Sequence, residues 1–150
     1  MANVIHSSEY PRSTFLILDN LQCLVAENSL DTILSHLKQF YPPRKQPRIE
    51  VKGKIYLAKQ YAIKFGAISM GSVNKGIVVE VEDKDQSRVS QCWSELTAFT
   101  KGLLDSSQPM DVPMFARQSD RPYLPSDSMS HYAFIFEQLR KTPSVTGAIK

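Results

Sequence analysis

Several things are scarce in this sequence, and each scarcity removes a class of function. Two cysteines, Cys23 and Cys92, occur in 150 residues. One pair is no disulfide framework, and no histidine stands near either at a zinc spacing. The three histidines, His6, His36 and His131, lie far apart with no pair at i, i+4. Six glycines form no phosphate loop: Gly66, Gly71 and Gly76 match neither the dinucleotide nor the P-loop pattern. No serine sits in a G-x-S-x-G setting, so no nucleophile can be nominated. No run of about 18 apolar residues exists, so no segment reads as a membrane span. The stretch from Met1 to Pro11 lacks a basic end followed by an apolar run, and no Asn-x-Ser/Thr site occurs, so a reducing, intracellular setting is expected.

Charge of one sign is lacking too. Eighteen Lys and Arg stand against fifteen Asp and Glu, a net charge of +3. They are interspersed, with no run of five or six like charges. A nucleic-acid binder gathers its cations into a stripe, because each phosphate is met locally. Direct nucleic-acid binding is therefore not expected.

What is present is ordinary globular material, 42% apolar and 22% charged. Residues 1–150 read as a single domain. A chain of this length buries roughly 68–70% of its unfolded surface, enough for a core without staples. Cys23 and Cys92 sit among apolar neighbours and read as free thiols acting as small hydrophobes, with one disulfide as the alternative.

The first two thirds read mostly as strands. Thr14–Asp19 and Gln22–Ala26 form a hairpin around the turn residues Asp19 and Asn20. The period then changes. After Asn28 and Ser29, a plausible N-cap pair, Leu30, Ile33, Leu34, Leu37 and Phe40 recur at helical spacing until Pro42 and Pro43 stop the helix. Arg48–Leu57 alternates: Ile49, Val51, Gly53, Ile55 and Leu57 point one way, and Arg48, Glu50, Lys52, Lys54 and Tyr56 the other. That pattern predicts one buried and one solvated face. Tyr61–Met70 and Gly76–Asp83 alternate as well, joined by a turn at Gly71–Lys75. Short connections make these three an antiparallel meander.

Val89, Cys92, Trp93, Leu96, Phe99 and Leu103 mark a second helix, with Trp93 read as a core anchor ahead of a binding role. Residues 105–126 carry apolar anchors among Pro, Ser and Asp, and read as a surface strap; Met114 and Phe115 in it either tuck against their own domain or face a partner. A third helix is expected from about Ser128 to Lys141, followed by a flexible tail over residues 142–150. Separate strand and helix blocks predict an α+β fold, an antiparallel sheet flanked by about three helices.

The best chemical candidate is Glu80-Val81-Glu82-Asp83-Lys84. Glu80 and Glu82 share a strand face and can reach one divalent cation, with Lys84 on the same side. The E-x-E-x-K spacing resembles the signature of the triphosphate tunnel metalloenzymes. Those need carboxylates for the metal and a ring of cations for the phosphates. Arg48, Lys52 and Lys54 lie on one strand face and Lys64 on the next strand, but no second E-x-E pair exists. Alternating charge on a solvated or partner-facing strand makes the same pattern, and that reading leads.

Four stretches together carry a wider resemblance: His6-Ser7-Ser8-Glu9-Tyr10-Pro11; Leu24-Val25-Ala26 with the helix Leu34–Phe40; Met70-Gly71 through Lys75-Gly76-Ile77 into Val79-Glu80-Val81-Glu82; and Cys92-Trp93-Ser94. In this order they resemble the subunit 20 family of the Mediator complex, the TRF-proximal proteins, from about Val4 to Lys150. The resemblance implies a non-catalytic subunit of the Mediator head module, without cofactor or metal. It implies a nuclear coactivator of RNA polymerase II that pairs with subunit 18 and through it joins subunit 8. A link to the TATA-binding protein or its relatives goes with that pair. It also implies a β-barrel-like fold shared with the tunnel enzymes, in which Glu80, Glu82 and Lys84 are an inherited strand pattern. The alternative remains a metal-dependent triphosphatase using those three residues. Family members carry a further strand and helix ahead of His6–Pro11, so an incomplete barrel is expected.

Overall fold

The computed structural model describes residues 2–20, 22–43, 45–105 and 121–141. These form two three-stranded antiparallel sheets and three α-helices, an α+β fold in which neither sheet closes on itself. Contacts divide the chain into two compact units. The first takes in the residues up to Pro47 and the helix from Pro125; the second runs from Arg48 to Leu124.

In the first unit, β1 (Ala2–His6), β2 (Ser13–Leu18) and β3 (Cys23–Glu27) lie in that order, with β2 central. The Asp19-Asn20 turn joins β2 to β3, and the Asn20 side chain accepts the Gln22 N–H at 3.2 Å. β1 has no counterpart in the sequence reading: Ala2-Asn3-Val4-Ile5-His6 is too short and too mixed to announce itself, and it is set by pairing with β2. The helix α1 (Ser29–His36) continues as one 3₁₀ turn over Leu37–Gln39. Asn28 holds the N-cap position but not the expected cap bond. Its side-chain amide donates to the Pro11 carbonyl at 2.7 Å, and its oxygen accepts the hydroxyl of fully buried Thr14 at 3.2 Å. A buried hydroxyl needs a partner more than an exposed helix end does.

α3 (Pro125–Lys141) packs across all three strands. Its Met129 and Ala133 close the core on Phe15 and Ile17, with Ile5, Tyr10, Cys23 and Tyr132 around them. The helix begins at Pro125, three residues before the expected Ser128. Proline suits a first helical position because that N–H has no intrahelical partner. Residues 125 and 126 of the expected strap are therefore helical, residues 106–120 of it lie outside the described residues, and so does the tail from 142.

In the second unit, β4 (Ile49–Ala58), β5 (Tyr61–Met70) and β6 (Val73–Asp83) form the expected meander. The turn after β5 is shorter than the Gly71–Lys75 expected. It spans Gly71 and Ser72, and Val73 already pairs with Met70. Gly76 is not a turn residue. The register passes from Ile68↔Gly76 to Ser69↔Asn74, so Lys75 is the extra residue of a β-bulge, and Gly76 sits at φ 139°, which side chains resist. α2 (Val89–Leu104) follows β6, with Cys92 and Thr100 buried and Trp93 half-buried.

Gly53 and Gly66 face each other across the β4–β5 ladder. A Cβ on Gly53 would stand 1.9 Å from the Phe65 carbonyl oxygen, and one on Gly66 would stand 2.9 Å from the Lys52 carbonyl oxygen. The two backbones approach too closely there for any side chain on Gly53. Gly53→Ala is expected to destabilise the protein by about 3 kcal/mol in urea unfolding, because the backbone itself must move. Gly66→Ala should cost less, since the Lys52 carbonyl oxygen and the Val51 side chain it would meet stand 2.9 Å away, not 1.9 Å.

Candidate functional site

Pairing register, not alternation alone, decides which side chains share a face. β4, β5 and β6 place Ala58, Tyr61 and Asp83 in one row of the first face, followed by Tyr56, Ile63 and Val81, then Lys54, Phe65 and Val79, then Lys52, Ala67 and Ile77. α2 covers the near end of this face, where Phe99 stacks on Tyr61 with ring centroids 4.1 Å apart. Beyond that point the face is open. Tyr56 and Phe65 stack on each other at 5.2 Å, yet remain 48% and 43% exposed. Ile77, farther along, is 74% exposed.

The second face carries Val51, Ile55 and Leu57 from β4, Lys64 from β5, and Glu80 and Glu82 from β6. It was expected to be the buried face of β4. Instead Ile55 and Leu57 are 52% and 68% exposed. Register sets Ile55 beside Lys64 and Glu80, and Leu57 in the row of Ala62 and Glu82, while Lys54 on the first face lies beside Phe65 and Val79; Ala62 and Ile68, on the second face of the central strand, are buried. Both faces are consequently mixed, and both leave large apolar side chains in the open.

The E-x-E-x-K residues are only partly brought together. The Lys64 ammonium reaches Glu80 at 3.4 Å and Glu82 at 3.0 Å, and is itself 15% exposed. A cation of the protein's own thus holds the place a metal would need. Lys84 lies past the end of β6 and lends its backbone N–H to the Gln60 carbonyl at 2.9 Å. Among the described residues no group of three or more His, Cys, Asp and Glu could hold a metal ion. The triphosphatase alternative finds no support in this geometry. Sequence reasoning placed Lys64 among phosphate-binding cations. The two-residue hairpin at Lys59-Gln60 was the signal that pairs it with Ile55 and not with Lys54.

The remaining basic residues of the sheet lie along β4. Lys52 meets Glu50 at 3.0 Å and Arg48 meets it at 3.5 Å. The hydrogen bond and charge of Lys52, with Arg48 behind it, hold the Glu50 carboxyl below the usual range. These are exposed contacts, worth little to stability.

Neither cysteine is an activated nucleophile. Both are free thiols. Burial, then the nearby Asp127 carboxylate, pushes Cys23 up; burial, then Asp83, pushes Cys92 up. Burial and the Asp83 and Glu95 carboxylates likewise raise the Tyr61 hydroxyl.

Two outcomes are expected. A group with a raised folded pKa contributes stability below its unfolded pKa and loses it as pH rises through the folded one. Cys92 and Tyr61 share Asp83, so thermal stability should fall from about pH 8.5 upward as the thiol and then the phenol are forced to ionise, and iodoacetamide labelling at pH 7.5 should be slower in the native than in the urea-unfolded protein. Secondly, Lys64→Met leaves Glu80 and Glu82 without their shared counter-charge. It should lower stability by about 1 kcal/mol at low salt, and 1 M salt should recover part of that.

The family model described as the TATA-binding related factor (TRF) of subunit 20 of Mediator complex matches residues 1–137. The Homo sapiens protein named Mediator of RNA polymerase II transcription subunit 20 is 36% identical over 142 residues, covering 95% of this chain and 67% of that protein. The Xenopus laevis protein of the same name is 33% identical over 92% of this chain and 65% of its own length. The one from Drosophila melanogaster is 28% identical over 98% of this chain and 66% of its own length. The chain thus spans about two thirds of the length of the relatives it matches.

Proposed function

The chain belongs to the subunit 20 family of the Mediator complex, and from that premise we propose that it works as a non-catalytic assembly subunit of the nuclear Mediator head module. In this reading residues 1–150 act as one subunit-20-like domain. It pairs with Mediator subunit 18 and through it with subunit 8, in RNA polymerase II coactivation, and the TATA-binding protein or a relative is a further contact of that pair.

One observation supports the reading most: the β4–β6 sheet exposes large apolar side chains on both faces, Ile55 and Leu57 on one, Phe65 and Ile77 on the other. Apolar surface of this kind, rimmed by Lys52, Lys54, Glu80 and Glu82, marks a protein-binding surface more often than a reaction centre. The ion pairs of Lys64 point the same way, because a charge satisfied within the sheet recognises no substrate. No cofactor enters this reading.

Coexpression tests it. The chain should elute with subunit 18 in size-exclusion chromatography, and the pair should take up subunit 8. Phe65→Glu with Ile77→Glu, both at exposed positions, should release subunit 18 by at least tenfold in affinity while leaving the circular dichroism spectrum unchanged. Separate elution of the wild-type proteins would overturn the reading.

A further inference from the structure

We propose that the outer edge of β4 is a docking strand for an extended segment of a partner protein, one that carries acidic residues at every second position and aliphatic residues between them. This rests on the reading of the chain as an assembly subunit and says where and how one partner attaches.

β4 is ten residues long and, among the described residues of its unit, borders only β5. In an antiparallel pair, alternate residues turn their N–H and C=O groups toward the neighbour. The other half of the β4 groups point outward, as a template for a further strand. Edge strands are commonly protected by short length, proline, a bulge, a covering element or charged side chains such as Lys52 and Lys54, which turn away strands that carry no opposite charge. β4 has none of the first three: it contains no proline, and its register with β5 runs unbroken from Ile49↔Met70 to Ala58↔Tyr61. Nor do the described residues of its unit cover it, because all seven residues from Val51 to Leu57 are exposed, on both faces of the strand. A helix or loop lying over one face would have buried every second one.

The side chains of this edge select the occupant. Lys52 and Lys54 stand on one face, and Val51, Ile55 and Leu57 on the other. Residues directly opposite in an added strand share a face, with Cβ atoms about 5 Å apart. Acidic side chains would meet the lysines on one face, and aliphatic ones would meet Val51, Ile55 and Leu57 on the other. Arg48, Lys52 and Lys54 stand against the single carboxylate of Glu50, so the edge is positive. A second copy of this chain is disfavoured by the same residues. Antiparallel self-pairing about Gly53 would set Lys52 against Lys54, and like charges directly opposite destabilise a sheet.

Residue-resolved hydrogen exchange on the chain alone and on its coexpressed complex with Mediator subunit 18 tests the proposal. Every second amide between Ile49 and Ala58 should be fast in the free chain and slow at least tenfold in the complex. The exposed double variant Lys52→Glu, Lys54→Glu should weaken subunit 18 binding at least tenfold, and Lys45→Glu, outside the strand, should leave it unchanged. Unprotected amides in an intact complex overturn strand addition alone and leave the assembly reading standing. Unchanged affinity on charge reversal overturns the acidic partner. A homodimer that protects the same amides overturns it in favour of a second copy, and failure of the wild-type proteins to co-elute sinks both readings together.

Discussion

A sheet with apolar side chains on both faces requires cover on both faces, and among the described residues the unit built on β4, β5 and β6 supplies one helix. α2 seals the end of the first face through the Phe99–Tyr61 stack, but the rows of Tyr56, Lys54 and Lys52 extend past it. Tyr56 and Phe65 partly cover each other, a contact worth about 1 kcal/mol beyond area burial. That is a local economy and leaves the rest of both rings in water. The second face sets the Lys64 ion pairs between buried Ala62 and Ile68 of the same strand. Charged groups in an aliphatic surround cost free energy to desolvate unless they satisfy one another, and Lys64 with its two carboxylates does that within the sheet.

The close approach at Gly53 and Gly66 shapes what a partner meets. With no side chain possible on Gly53, the two backbones come unusually close there. The close approach falls midway along β4, between Lys52 and Lys54, so the two lysines stand on either side of it. The bulge at Lys75 and Gly76 interrupts the β5–β6 ladder instead, near its turn end. Irregularity is thus concentrated on β6, while β4 keeps an unbroken ladder on its inner side and an open one on its outer side.

Much of this architecture was legible in the sequence. Period-two alternation marked β4, β5 and β6, the spacing of Leu30, Leu34 and Leu37 marked α1, and the stripe from Val89 to Phe99 marked α2. What alternation cannot give is the relation between strands. Ile55 and Phe65 are both apolar and both alternate correctly, yet they lie on opposite faces, because the two-residue Lys59-Gln60 hairpin pairs Ile55 with Lys64. The expected buried face of β4 failed for that reason alone. β1 was illegible on different grounds: a five-residue edge strand containing Asn3 and His6 owes its conformation to β2, not to its own composition. Asn28 shows the same limit on a smaller scale. Its place before a helix was readable, but its partners, Pro11 and Thr14, are seventeen and fourteen residues away in sequence.

The E-x-E-x-K run shows why a motif is weaker than its register. Two carboxylates on one strand face are equally suited to a metal, to a partner's cations or to a lysine on the next strand. Local sequence does not separate these outcomes. Cross-strand pairing does, because it sets Lys64 directly opposite Glu80 and within 3.0 Å of Glu82. With Lys64 engaged by its two carboxylates, the surplus of cations lies along β4, where Arg48, Lys52 and Lys54 stand with the one carboxylate of Glu50. The chemistry left to the surface is then recognition of an opposite charge flanked by apolar contact, which is the chemistry of assembly.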